Sequence, residues 1–196
     1  GKSVTRFRVG DEVLGEIPPP DFGGFAEYAV PPEARMALKP AGISFEEAAA
    51  LPMASCTALQ ALNNWGGIKA GQKVLIVGAS GGVGTYAVQL AKHMGAEVTA
   101  VCSARGAAKA AELGADRVFD YAKGDFTRSG DRYDRILAVN GNYALTAYRR
   151  MLAENGVCVF VGGSLKQLLK CMLFGRLLSA GGRRFYVLVA KPSASD

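Results

Sequence analysis

The sequence is poor in the residues that build metal sites. Its 196 residues include a single histidine, His93, and four cysteines, no two of which form a CxxC pair. Because zinc sites need clustered cysteine and histidine ligands, we expect no metal site built from this chain alone. Unclustered thiols are typical of a reducing compartment, so we expect a cytoplasmic protein.

Within the residues given, we recognise no signal-peptide pattern, no apolar stretch of transmembrane length and no long run of like charge. The net charge of +6 comes from lysines and arginines spread along the chain, which indicates a basic surface rather than a nucleic-acid-binding arm. We therefore expect neither nucleic acid nor a membrane as a partner. The hydrophobic share of 49% is ample for a packed core.

The chain changes pattern after residue 42. Before that point, turn and proline signals predict short strands, one after Gly10 and one over Gly23–Val30. Ser44 then predicts a helix start, Pro52 an interruption, and Thr57–Leu62 further helix. From Lys73 onward, apolar runs alternate with helical patterns. Six strands are predicted: Val74–Val77, Val98–Val101, Arg117–Phe119, Arg135–Val139, Val157–Val161 and Phe185–Ala190. Helical crossovers, including Ala107–Leu113 and Tyr143–Leu152, then indicate an α/β fold with a doubly wound parallel sheet.

The segment Lys73–Ser103 has the order strand, glycine-rich turn, helix, strand, which is typical of a dinucleotide-binding unit. Gly81 lets a phosphate approach the backbone, and Gly84 lets the helix pack closely on the strand. Unpaired N–H groups and the helix dipole attract the anion. A structural glycine turn is the alternative, but the flanking strands and helix favour dinucleotide binding. The candidate residues are Ala79, Ser80, Gly81, Gly82, Val83 and Gly84.

The residues after the second strand bear on the choice of dinucleotide. NAD-specific domains place a carboxylate there, whereas this chain has Ser103 and Arg105 and no acidic residue between Val101 and Arg105. A serine hydroxyl and an arginine can both bind a 2′-phosphate. In the alternative interpretation, Ser103 caps a helix and Arg105 is a solvated charge. We expect NADPH rather than NADH.

Six motifs occur in one order along the chain: GDEVLG, FAEYAV, AAALPMASCTALQAL, GASGGVGTYAVQLAKHMGAEV, LGADRVFDY and VFVGG. In this order they resemble the medium-chain dehydrogenase/reductase superfamily. The most similar branch is the zinc-independent one of NADPH:quinone oxidoreductases and zeta-crystallin-like proteins. The resemblance implies a partial GroES-like, β-rich catalytic domain over residues 1–42. It implies an NAD(P)-binding Rossmann domain over residues 43–196, and a chain shortened at both ends.

The resemblance also implies roles for individual residues. Tyr121 would line the adenosine phosphate, and Asn140 would lie near the ribose and diphosphate. Thr57 would lie near the nicotinamide carboxamide, with Val161 and Gly162 flanking the ring. For Asn140 the alternative is a simple Asn-Gly turn.

Chemistry implied by the resemblance is zinc-independent hydride transfer from NADPH to a quinone or an α,β-unsaturated carbonyl. Met53 occupies the place of a cysteine ligand in the zinc-dependent branch, and methionine there is no zinc ligand. No residue has a context that marks a catalytic acid or base. The alternatives are an NADPH-binding module without turnover, an inactive fragment, and the enoyl reductase module of a larger synthase.

Two features remain near the carboxyl end. An apolar stripe at helical spacing is interrupted by lysines and an arginine, and we expect a core-facing helix, with membrane-surface binding as the alternative. Phe185–Ala190 is predicted as an edge strand, and the resemblance implies a homodimer that pairs this strand with its twofold mate. The stripe comprises Leu165, Leu168, Leu169, Met172, Leu173 and Leu177.

Overall fold

The computed structural model describes residues 3–17, 23–179 and 181–191, apart from the side chain of Arg176. It divides into two compact units, one of Gly1–Thr57 with Ala190–Asp196 and the other of Ala58–Val189. This division falls within a helix, whereas the predicted domain boundary lies between residues 42 and 43. The predicted domains therefore stay a prediction.

The first unit contains short elements. Strand β1 (Val13–Gly15) pairs antiparallel with β2 (Met36–Leu38), and a 3-10 turn, η1 (Glu33–Arg35), precedes β2. Helices α1 (Phe45–Ala50) and α2 (Pro52–Asn63) follow, and α2 runs on into the second unit.

The start of α1 confirms the prediction from Ser44. Its hydroxyl accepts the Glu47 N–H at 3.1 Å, and the Glu47 carboxylate accepts the Ser44 N–H at 2.8 Å. This reciprocal pair satisfies two otherwise free backbone donors. The strand predicted over Gly23–Val30 is wrong, because these residues form bends with no described strand beside them. Phe25 and Val30 are fully exposed, so the alternating pattern has no core to face.

The second unit is a parallel six-stranded sheet with the order β5-β4-β3-β6-β7-β8, which confirms the predicted α/β class. Crossover helices lie on both faces, and each face has its own apolar cluster. Because both faces are buried, the strands are continuous apolar runs rather than alternating ones. The strands are β3 (Lys73–Val77), β4 (Glu97–Cys102), β5 (Arg117–Asp120), β6 (Tyr133–Ala138), β7 (Leu152–Phe160) and β8 (Arg184–Val187). The helices are α3 (Gly82–His93), α4 (Ala104–Glu112), α5 (Leu145–Met151) and α6 (Leu165–Leu178), with a 3-10 turn, η2 (Phe126–Arg128), before β6.

A buried arginine holds the turn that follows α2. Arg135, on β6, donates from Nη1 to the carbonyl oxygens of Ala61 and Asn64, at 2.8 and 3.0 Å, and from Nη2 to that of Gly67 at 3.0 Å. Trp65, within this turn, has φ +57° and stacks on Tyr186 of β8 with ring centroids 4.4 Å apart. The arginine therefore caps the end of α2 and stabilises a left-handed turn against the sheet.

The expectation that the α6 stripe faces the core is wrong. Of the predicted stripe, only Leu168 is partly buried, whereas Leu165, Met172 and Leu177 have exposed fractions of 73%, 68% and 74%. The helix packs through small residues instead, since Cys171 is buried and a Cβ at Gly175 would lie 3.3 Å from that of Phe185. This close approach turns the leucines outward. Within the described ranges, no helix is both long and apolar enough to cross a bilayer.

Candidate functional site

The sheet order creates a crevice at the carboxyl ends of its central strands. From β3 the chain proceeds to β4 and β5 on one side, and then returns to place β6 on the other side. Crossovers leave β3 in opposite directions, so the strand ends beside it are open to a ligand. A cleft of about 380 Å³ lies there, lined by Val77, Gly78, Val101, Tyr121, Asn140, Asn142 and Tyr143.

The glycine turn begins immediately after β3. Gly78 has φ +93°, a conformation that favours glycine. The N–H groups of Gly78 and Ala79 both donate to the carbonyl oxygen of Val101, at 2.9 and 3.1 Å. The turn is thereby tied to the end of β4, and Ala79 is buried under it.

The amino terminus of α3 is open toward solvent. Gly81 is the N-cap residue in an extended conformation, and no side chain caps the helix. A Cβ at Gly82 would meet no atom within 4 Å, whereas one at Gly84 would overlap the carbonyl oxygen of Gly78. Val83 between them is half-buried. The helix therefore packs closely on the turn while its first N–H groups face free space, an arrangement that fits a diphosphate.

The start of α4 lies against the glycine turn. A Cβ at Gly106 would overlap the side chain of Ser80, so these two residues touch. Ser103 occupies the N-cap position of α4, but its hydroxyl makes no capping hydrogen bond. Arg105, in the first turn of α4, is exposed and forms no ion pair with a described residue. Both predicted phosphate ligands therefore lie at the start of α4, whose Gly106 touches the glycine turn, and no hydrogen bond or ion pair joins their side chains to another described residue.

Tyr121 and Asn140 lie in the same cleft. The Tyr121 N–H donates to the Cys102 carbonyl at 3.2 Å, and the ring is 53% exposed. The Asn140 N–H donates to the Val77 carbonyl, also at 3.2 Å, and Gly78 lies directly against Asn140. The structure therefore brings together residues that are distant in sequence and that the sequence motifs assign to one ligand.

Val161 and Gly162 follow β7 at the neighbouring strand end. Their N–H groups approach the Ala138 carbonyl at 3.1 and 3.5 Å, and a Cβ at Gly162 would lie 2.7 Å from the Val139 carbonyl oxygen. They do not line the cleft itself. Thr57 lies on α2, in the other compact unit, and its role stays a prediction.

Several residues of the loop after β6 are absent from the sequence-based prediction. The Asn142 side-chain oxygen accepts the Ser164 N–H at 3.4 Å, and Gln167 donates to the Tyr143 carbonyl at 2.6 Å. These bonds join the loop to the start of α6. The sequence could have indicated these residues only by their position, because they directly follow a strand of the parallel sheet, where ligands bind.

Two titratable groups at or beside the cleft, Cys102 and Tyr143, have raised pKa values. Burial, followed by the charge of Asp120, raises the pKa of the Cys102 thiol. Burial likewise raises the pKa of the Tyr143 hydroxyl, with further contributions from Asp125 and Tyr121. Neither group is poised to act as a base near pH 7.

A second cavity of about 530 Å³ lies between α4, β5 and η2. It is lined by Ala104, Asp120, Lys123 and Asp125, among others, and by none of the predicted residues. Among the described residues, no group of three or more His, Cys, Asp or Glu side chains is placed to hold a metal ion. Met53, which stands where the zinc-dependent branch has a cysteine ligand, is 63% exposed.

The switch-point crevice, the open helix terminus and the glycine turn together define a Rossmann-type nucleotide-binding domain. The profile of the family described as zinc-binding dehydrogenase matches residues 82–188. The chain belongs to this family, in the quinone oxidoreductase-like branch of the medium-chain dehydrogenase/reductase superfamily.

Two curated relatives show the similarity in sequence. The chain is 41% identical over 165 residues to the chloroplast envelope quinone oxidoreductase homolog of Arabidopsis thaliana, a match that covers 80% of this chain and 50% of the relative. It is 42% identical over 173 residues to 2-methylene-furan-3-one reductase of Solanum lycopersicum, covering 84% and 44%. The chain thus spans about half the length of the curated relatives it matches.

Solved structures show the same similarity in fold. The quinone oxidoreductase from Coxiella burnetii superposes with a TM-score of 0.87 at 30% identity, over 100% of this chain and 60% of that one. The Thermus thermophilus quinone oxidoreductase, whose structures include a complex with NADPH, gives a TM-score of 0.70 at 29% identity, over 87% and 55%.

Proposed function

We propose that the protein is an NADPH-dependent oxidoreductase of quinones or α,β-unsaturated carbonyls. The observation that carries this proposal is the open amino terminus of α3 at the switch point, beside the cleft that holds Tyr121 and Asn140. The relatives support it, since two are named as quinone oxidoreductases or their homologs and one as a 2-methylene-furan-3-one reductase.

The preference for NADPH rests on the start of α4. Ser103 and Arg105 have uncommitted polar groups next to the turn that would hold the diphosphate. A 2′-phosphate carries charge that an arginine can meet with charge-assisted hydrogen bonds. The NADPH complex of the Thermus thermophilus relative supports this choice.

The protein's own residues bind and orient rather than react. When bound, the nicotinamide supplies the hydride from its C4 atom. The glycine turn holds the diphosphate, and Asn140, Val161 and Gly162 form the edge along which the nicotinamide half would extend. We further propose that the reaction is zinc-independent. A conjugated acceptor delocalises the developing charge and needs less help from a Lewis acid than a simple carbonyl.

A binding module without turnover is the second candidate. In that case nucleotide would bind at the same turn, with no transfer of hydride to an acceptor. An enoyl reductase module of a larger synthase is a third candidate, distinguished by its need for thioester-linked substrates.

Two measurements separate these candidates. Nucleotide binding is measured by the fluorescence of reduced nicotinamide, and turnover by its loss of absorbance with a panel of quinones, enones and enoyl thioesters. We expect NADPH binding and turnover with quinones or enones. Binding without turnover supports the module, and turnover only with thioesters supports the synthase candidate.

A matched pair of variants tests the site itself. Gly82→Asp adds a carboxylate in open space where the diphosphate would lie, and Gly82→Asn adds a side chain of the same size without charge. We expect the aspartate variant to bind NADPH at least about tenfold more weakly than the asparagine variant, because it repels the diphosphate. Equal affinities would show that the anion binds elsewhere.

We also propose a homodimer through the region of β8, and a cytoplasmic location. The position of β8 at the edge of the sheet supports the dimer, since an edge strand has free hydrogen-bonding groups. Light scattering over a range of protein concentrations tests it, and a monomer at all concentrations would contradict it. The four free thiols support a reducing compartment, which a fluorescent fusion of the protein would test.

A further inference from the structure

The net positive charge of the protein is concentrated in one segment. Between Asn155 and Ser195 the sequence has no Asp or Glu, and its cations are Lys166, Lys170, Arg176, Arg183, Arg184 and Lys191. These six equal the net charge of the whole chain, +6, so the remainder is balanced. Lysines and arginines are spread along the whole chain, but their excess over acidic residues lies between Asn155 and Ser195.

The same segment contains an exposed apolar helix face. Leu165, Leu169, Leu173 and Leu177 recur every four residues, and Met172 lies beside them. All five lie on the side of α6 that faces away from the sheet, with exposed fractions between 49% and 74%. Scattered exposed leucines are normal, but a continuous stripe of them is not.

Cations accompany this stripe. Lys166 and Lys170 are exposed and lie one turn apart along α6. Phe174 and Leu177, together with Leu145 and Lys170, line an apolar groove of about 430 Å³ between α5 and α6. Apolar side chains and lysine ammonium groups are therefore available to one partner at one surface.

We propose that the outer face of α6 binds an anionic lipid surface, with the helix lying in the plane of the interface. A helix with an apolar stripe, flanking lysines and no acidic residue has the composition of interfacial helices. The leucines and methionine would enter the acyl boundary, and the lysines would stay with the anionic headgroups. This surface binding needs no membrane-spanning helix.

The charge and the chemistry of this face favour a lipid surface over a second copy of the chain or an acidic protein. A second copy of the chain placed on this face would bring Lys166 and Lys170 close to the same lysines across a twofold axis, which is unfavourable. An acidic protein would meet the cations, but the stripe offers it only aliphatic side chains and no hydrogen-bonding groups. A bilayer surface matches both the aliphatic stripe and the cations.

Vesicle sedimentation tests this proposal with the whole chain. Wild type is expected to sediment with phosphatidylcholine vesicles containing about 30% phosphatidylserine, to stay in solution with pure phosphatidylcholine, and to dissociate as salt is raised. The variant Lys166→Gln/Lys170→Gln should reduce the partition coefficient by about tenfold or more. The variant Leu169→Gln/Leu173→Gln should reduce it similarly, because the apolar contact is lost.

Two control variants test whether reduced vesicle binding comes merely from removing any two lysines or any two exposed apolar side chains. Lys69→Gln/Lys109→Gln removes two exposed lysines elsewhere, and Val30→Gln/Leu38→Gln removes two exposed apolar side chains elsewhere. Both should bind anionic vesicles as wild type does. All variants change exposed residues, and thermal unfolding should show them folded.

Three outcomes would overturn the proposal. The first is wild type that stays in solution with anionic vesicles, and the second is α6 variants that sediment as wild type does. The third is an apolar variant that dissociates a dimer while wild type binds no vesicles, which would make the face an interface between copies of the chain. These results do not depend on nucleotide binding, so they leave the proposed enzymatic function untouched.

Discussion

Tyr148 and Gly141 occupy adjoining positions under the loop that lines the cleft. The Tyr148 hydroxyl is buried without a hydrogen-bond partner among the described residues, and a Cβ at Gly141 would overlap it. Gly141 separates Asn140 from Asn142, both of which line the cleft. The size of residue 141 therefore determines where both asparagines lie.

We predict that Gly141→Ala weakens NADPH binding by about tenfold and destabilises the fold by about 1–3 kcal/mol, because the added methyl displaces the loop or the tyrosine. Affinity is measured by nicotinamide fluorescence and stability by urea unfolding.

The compensating variant is Tyr148→Phe. Alone it should be nearly neutral, because the lost hydroxyl has no described partner and the ring keeps its edge contact with Phe160 at 5.2 Å. Combined with Gly141→Ala it should restore only part of the affinity, since Ala138 still lies close to residue 141. No rescue in the double variant would contradict the steric explanation.

We predict that Arg105→Ala weakens NADPH binding by about tenfold or more and leaves NADH binding unchanged, because only NADPH carries the 2′-phosphate. Dissociation constants for both nucleotides check this. Lys109→Ala, on the same helix and exposed, is the control for the loss of a positive charge. An equal loss of NADH affinity would assign Arg105 to another part of the nucleotide.

We predict that Arg135→Met destabilises the second unit by about 3 kcal/mol, because three carbonyl groups lose a charged donor in a buried site. Burial, followed by the charge of Arg184, lowers the pKa of Arg135 to about 10, so the guanidinium is protonated at neutral pH. Urea unfolding measures the loss. Arg132 is exposed, and among the described residues its side chain donates only to carbonyl groups of its own turn, so Arg132→Met should change stability by less than about 0.5 kcal/mol.

We predict that Asp116→Asn costs about 1 kcal/mol at neutral pH. Burial alone would raise the pKa of Asp116, but hydrogen bonds from Lys92, at 2.8 Å, and from the Val98 N–H, at 2.6 Å, lower it below its usual 3.8. Partial exposure of the pair limits the effect to about this size.

The pH dependence of this variant follows from the lowered pKa. The contribution of Asp116 is present above its unfolded pKa of 3.8 and is lost as the pH falls through its lower folded value. The difference between wild type and Asp116→Asn should therefore shrink toward zero as acid is added. Glu112→Gln, in an exposed pair, should show little difference at any pH. A constant difference for Asp116→Asn would contradict the electrostatic origin.

The sheet and the glycine turn could be predicted from the sequence because both depend on local pattern. Apolar runs specify strands buried on two faces, and the close approach of Gly84 to Gly78 follows from the fingerprint. The local pattern gave a wrong strand at Phe25–Val30, where the alternation had no partner strand. It also gave a wrong face for α6, where Gly175 and Cys171 pack toward the sheet and only Leu168 of the predicted stripe does so. Such outcomes depend on tertiary neighbours, which periodicity does not contain. The same holds for the unpartnered hydroxyl of Tyr148.

The stacking of Trp65 on Tyr186 gives the protein an intrinsic fluorescent probe at one defined place. Trp65 is the only tryptophan in the chain, and its ring lies parallel to that of Tyr186, 8° apart, on the edge strand of the sheet. Tryptophan emission, excited selectively above the tyrosine absorption band, therefore reports on a single place, the junction of the α2 turn with β8. Anything that covers or loosens that edge will register as a change in one indole, with no label attached.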